Sequence, residues 1–179
     1  MKSKLAELLL GLSTLVLVLA GCGADAPQFT MDAEQVREVA AGIADFKLPE
    51  GYRPDYAANW RGAAVAAYHP DDEHSHLMFI QLPEGDGPDK LDTNKTLQQF
   101  THDEMEDYSQ VTIVEERVVT IDGQETTLIV GEGVSYDGTP YRQITARFAG
   151  KNGPALINLT EPTRRWDWAR LDDLLASIR

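Results

Sequence analysis

The residues best equipped for chemistry sit together in Tyr68–His76, which reads YHPDDEHSH. Three histidines (His69, His74 and His76) and three carboxylates (Asp71, Asp72 and Glu73) fall within nine residues. Imidazole suits zinc, copper or nickel, and the carboxylates add oxygen donors. On a strand, His74 and His76 would share one face, and His69 could reach back across the turn to them. The competing reading is a solvated hairpin tip, because turns collect Asp, Ser and Pro for backbone reasons alone. Nothing in the composition of the stretch pre-organises the donors. A polar turn is therefore the expectation, and a metal site on His69, His74 and His76 the alternative.

The letters HPDDE (His69–Glu73) resemble the zinc-binding motif of N-acetylglucosaminyl deacetylases. That resemblance implies His69 and Asp72 as ligands and Asp71 as the general base. In those enzymes the motif follows a parallel strand and opens into a Gly-rich turn and a helix. Here Glu73 is followed by His74-Ser75-His76 and then Leu77-Met78-Phe79-Ile80, a strand pattern without glycine. The one downstream histidine, His102, falls on the polar side of a predicted helix. The resemblance stops at five letters.

Other candidates are weaker. Asp103, Glu104, Glu106 and Asp107 form a carboxylate-rich helix end with no partner acid set in an apolar pocket, as acid–base catalysis would need. No GxSxG elbow is present. Trp60 and Trp166 could line a ligand groove, whereas Trp168 opens the apolar stripe of the last helix. No catalytic set emerges, and no cofactor is expected apart from a covalent lipid.

The lipid follows from the N-terminus. Lys2 and Lys4 precede a nearly unbroken apolar run, Leu8–Ala20. It is too short to span a bilayer, which takes about 20 helical residues, and fits the apolar region of a signal peptide. The run closes on Leu19-Ala20-Gly21-Cys22, which resembles the lipobox of bacterial lipoproteins at all four positions. The resemblance implies cleavage before Cys22 and a diacylglycerol thioether on its sulfur. Cys22 is the sole cysteine, so no intramolecular disulfide can form. Two acyl chains suffice for stable anchoring. The expected location is the cell membrane or outer membrane, facing the periplasm or exterior. Gly23 after Cys22 favours the outer membrane where there are two, since the aspartate that often retains lipoproteins inside is absent.

Loss of residues 1–21 would move the formal charge from −13 to −14, because Lys2, Lys4 and Glu7 leave together. Such a chain repels nucleic acid and anionic headgroups, so the membrane partner must be held by the lipid. Residues 22–30 read as a short tether and 31–179 as a single domain.

Within that domain, Asp32 can cap a helix carrying Val36, Val39, Ala40 and Ile43 on one face, with Gln35 completing a capping box. Phe46–Leu48, Ala57–Tyr68 and His76–Leu82 read as strands. A second helix is predicted over 94–108. Four strands follow from Val111, divided by Asp122-Gly123, Asp137-Gly138 and Asn152-Gly153, pairs that favour tight hairpins. A last helix, Arg164–Ile178, presents Trp168, Leu171, Leu175 and Ile178. The expected class is α+β: an antiparallel sheet of six to seven strands packed with two or three helices. The element order, the FKLPEGY opening and the closing helix ending in Ser-Ile-Arg resemble PsbP/DcrB-type envelope domains, most of which are non-enzymatic. The functional expectation is a lipid-anchored envelope protein that binds a protein partner or small ligand without catalysing a reaction.

Overall fold

The computed structural model describes residues 28–60, 62–71, 74–83 and 111–179. The predicted helix over 94–108, with His102 and its carboxylates, lies outside the described residues, as do Cys22, Asp72 and Glu73.

Among the described residues, eight strands form one sheet packed with two helices, one or two strands more than the six to seven expected. The order in the chain is β1 (Gln28–Thr30), α1 (Ala33–Ile43), β2 (Arg53–Trp60), β3 (Ala63–His69), β4 (His76–Gln81), β5 (Thr112–Ile121), β6 (Gln124–Val134), β7 (Pro140–Gly150), β8 (Gly153–Pro162) and α2 (Trp168–Ser177). A single 3₁₀ turn, Thr163–Arg165, joins β8 to α2. In space the strands run β1-β2-β3-β4-β8-β7-β6-β5, with every pair antiparallel. Two meanders therefore meet along β4 and β8, and β5, the strand that follows β4 among the described residues, forms the edge opposite β1.

Local chemistry explains most boundaries. Asp32 caps α1, its Oδ1 accepting from the backbone N–H of Glu34 and Gln35 at 3.1 and 3.0 Å. Asp167 does the same for α2, accepting from Ala169 N–H at 2.9 Å and Arg170 N–H at 3.4 Å. At the β5–β6 turn, Asp122 and Gly123 take φ of 47° and 72°, the pair of positive values a two-residue hairpin of this kind needs.

Two expected elements differ. Ala57–Tyr68 is not one strand: Gly62, at φ 83°, turns the chain between β2 and β3. Phe46–Leu48 is not a strand either. Lys47 N–H donates to Ser177 Oγ at 2.9 Å, and Asp45 and Arg179 exchange two backbone bonds of 2.9 Å, so this segment serves α2's end and not the sheet.

Both helices lie on the same face. Val36, Ala40 and Ile43 of α1 and Leu171, Leu174 and Leu175 of α2 join Leu77, Phe79, Leu128, Ile144 and Ile157 in one buried core. Phe46 stacks on Phe79 with ring centroids 4.0 Å apart, and Phe79 meets Phe148 edge-on at 6.3 Å. Each such fully buried side chain stabilises the fold by about 1.5–3 kcal/mol relative to exposure. On the opposite face a smaller apolar cluster gathers Val65, Ala67, Met78, Ile80, Leu82 and Leu156. The central strands are thus buried on both sides, which accounts for their unbroken apolar runs.

The β7–β8 hairpin clamps the C-terminus of α1. Lys151 Nζ donates to Ala41 O at 2.9 Å and to Asp45 Oδ1 at 2.7 Å, its backbone N–H to Ile43 O at 2.8 Å, and Asn152 Nδ2 to Gly42 O at 2.9 Å. These donors satisfy carbonyls that a helix end leaves without partners, and the lysine charge suits the negative end of the helix dipole.

Candidate functional site

The histidines do not converge. His69 Nε2 accepts from Arg53 Nε at 3.4 Å, while Arg53 also pairs with Asp71. His74 Nε2 lies 3.2 Å from Asp137 Oδ2 in the β6–β7 turn. His76 begins β4 and is paired in register with Thr160 of β8. Among the described residues, no three histidine, cysteine or carboxylate side chains come together to hold a metal ion. His69 instead contacts Arg53 of the adjacent strand, and His74 contacts Asp137 in the β6–β7 turn.

Asp137 is the best-ordered acid of that region. Ser135 Oγ, the Thr139 backbone N–H and Thr139 Oγ1 all bond to it, at 2.5, 2.9 and 3.0 Å. Those bonds, chiefly the one from Ser135, hold its pKa down at about 2.

The tryptophans behave differently. The backbone of Trp60 sits at the end of β2 beside Ala63, the opposite end of the sheet from the Arg53–His69 pairing. Trp166 and Trp168 pack on the helix-bearing face, whereas His69 and His76 alternate with core residues Tyr68 and Leu77 and so point to the other face.

What surrounds Trp166 and Trp168 is an arginine-rich cluster. Their rings meet edge-on, 5.2 Å between centroids. The Arg117 guanidinium lies 3.9 Å over the Trp168 ring, and Arg142 sits 5.4 and 5.6 Å from the two indoles. These are cation–π distances. Register builds the arrangement: Arg142 of β7 lies between Glu132 of β6 and Glu161 of β8. Arg142 pairs with Glu132, Arg117 with Glu115 and Arg170 with Glu161. Arg164 and Arg165 flank the cluster from the 3₁₀ turn. The indole Nε1 of Trp166 is buried without a hydrogen-bond partner among the described residues.

Beneath the cluster lies a buried carboxylate. Glu161 is 1% exposed, takes a 2.6 Å hydrogen bond from Tyr52 Oη, and pairs with Arg170, which also donates to Arg165 O at 3.1 Å. Burial, reinforced by the bond to Glu161, pushes the Tyr52 phenol well above its ordinary pKa. Sequence reasoning did not find this network. Tyr52 belongs to the FKLPEGY segment and Glu161 stands 109 residues further on, so no local pattern pairs them. The only signal for the cluster was the Arg-Arg-Trp-Asp-Trp-Ala-Arg run at 164–170.

No family model matches the chain, and neither does any curated protein. The chain is similar to the solution structure of cyanobacterial PsbP (CyanoP) from Synechocystis sp. PCC 6803, at 14% identity. The alignment covers 89% of this chain and 95% of that one, with a TM-score of 0.45.

Proposed function

We propose that this is a lipid-anchored cell-envelope protein whose α+β domain works by binding and not by catalysis, through the Trp166–Trp168 arginine cluster. The observation that carries the reading is that cluster: two half-buried tryptophans interleaved with Arg117 and Arg142, and edged by Arg164 and Arg165, on a chain of formal charge −13. Tryptophan and arginine are the residues that concentrate binding energy at protein interfaces. Three of the cluster's arginines hold a glutamate, and Arg164, exposed on the 3₁₀ turn, adds a further positive charge beside them. An envelope protein or small ligand offering carboxylates fits this surface, and nucleic acid does not fit the chain as a whole.

The anchor rests on Leu19-Ala20-Gly21-Cys22 and on Cys22 being the sole cysteine. It places the domain on the periplasmic or exterior side of the cell membrane or outer membrane, held by diacylglycerol. Crosslinking on intact cells tests the binding reading. An envelope partner or ligand is expected with the wild-type protein, and its yield should fall with Arg164→Glu, a reversal at an exposed position. Recovery of no partner, or equal yield from the variant, contradicts the proposal.

A further inference from the structure

Two large apolar side chains stand in solvent a few residues after Cys22 in the sequence. Phe29 is 59% exposed and Met31 70% exposed, and only Thr30 separates them. Phe29 is held in place. Its backbone pairs with Ala58 of β2, and its ring stacks on Tyr56 with centroids 5.6 Å apart.

Met31 precedes the cap of α1, the position from which an apolar residue ordinarily packs back on the fourth residue of the helix. That residue is Val36, which is fully buried. Met31 remains mostly exposed nonetheless, so packing against its own helix does not account for it.

Chain length supplies the occupant. Gln28, the first residue of β1, comes six positions after Cys22. A fully extended chain gains at most about 3.5 Å per residue, so β1 can stand no more than about 21 Å from the lipidated residue. Resting on the lipid-anchor reading, we infer that Phe29 and Met31 form a second, non-covalent contact with the bilayer and turn the β1 edge of the sheet toward it.

Charge narrows the surface. Asp32 and Glu34 adjoin the pair, so an uncharged, zwitterionic headgroup layer suits it and an anionic one does not. The far edge of the sheet provides the comparison. Val118 of β5 is also 70% exposed, yet seven strand spacings of about 4.8 Å, roughly 34 Å, separate its strand from β1. Equal exposure with unequal distance from the anchor isolates position as the variable.

The lone cysteine makes the test direct. In the lipidated protein the Cys22 thiol is consumed, so Met31→Cys or Val118→Cys offers one labelling site for an environment-sensitive fluorophore. Gln28→Cys, on the exposed start of β1, is a second site that removes no core side chain. Each full-length, lipidated variant is placed in phosphatidylcholine vesicles with and without nitroxide-bearing phosphatidylcholine. Label at residue 31, and at residue 28, should shift to the blue, brighten several-fold and be quenched by the nitroxide, while label at 118 stays unchanged. One label per chain with equal responses at 31 and 118 overturns the bilayer contact and leaves the anchor standing. Two labels per chain, the second on Cys22, overturns the anchor and the contact with it.

Discussion

Removing one oxygen atom from Tyr52 tests the buried network that carries the tryptophan–arginine cluster. In Tyr52→Phe the ring can stay in its pocket, but the 2.6 Å hydrogen bond to Glu161 is lost. Glu161 is almost fully buried, so water cannot replace that donor without opening the site. A hydrogen bond to a charged group contributes about 1.5–3 kcal/mol. For a domain of this size 1 kcal/mol corresponds to about 2–4 °C in Tm, so Tyr52→Phe should melt about 3–12 °C lower. Urea denaturation with an unchanged slope would show that the loss is in stability and not in the unfolded state. The raised phenol pKa adds a pH signature. A group whose folded pKa lies above its unfolded value stabilises fully below the unfolded value, near 10, and loses that contribution as pH rises beyond it. The wild type should therefore lose stability above about pH 10 and the variant much less of it. If Tyr52→Phe melts with the wild type at neutral pH, and their alkaline limbs coincide, the network does not hold this end of the domain.

Three further outcomes follow from single contacts. Lys151→Ala removes a donor to Ala41 O and the pair with Asp45 at the end of α1, and should cost about 1–2 kcal/mol, read by thermal unfolding. Gly133→Ala places a Cβ 2.5 Å from Tyr141 Oη, so the ring must shift; a loss of about 1–3 kcal/mol is expected in urea titration. Asp137 carries a pKa depressed to about 2, so its contribution to the β6–β7 turn is present above its unfolded value and lost as pH falls toward 2. A wild-type minus Asp137→Asn stability difference that does not shrink over that acid range would contradict the Ser135 and Thr139 bonds.

Much of the fold was legible because its signals are local. Asp32 stands three residues before Gln35 at the head of an apolar stripe, and the cap forms there. Asp122-Gly123 demands a hairpin, and the four-strand meander from β5 to β8 follows from such turns. Where the signal was long-range, reading failed. The β2–β3 hairpin hides in an alanine-rich run whose single turn residue is Gly62. Asn152 looks like turn chemistry, yet its side chain caps α1, 110 residues away in sequence from Gly42. The cluster around Trp166 depends on register: Glu132, Arg142 and Glu161 line up only because β6, β7 and β8 pair as they do. The histidine stretch was read first as a polar turn, with a metal site on His69, His74 and His76 as the alternative. Dense donors in a sequence suggest one site, but a turn sends its side chains outward, and His69 and His74 go to different neighbours.

Mass spectrometry of the N-terminal peptide from native membranes decides whether the domain is tethered by lipid at Cys22. The expected peptide begins at Cys22 and carries a diacylglycerol on its sulfur, and a Cys22→Ser precursor keeps residues 1–21. A peptide beginning at Gly23 or later, or an unmodified Cys22, would contradict the anchor, the location and the bilayer contact together.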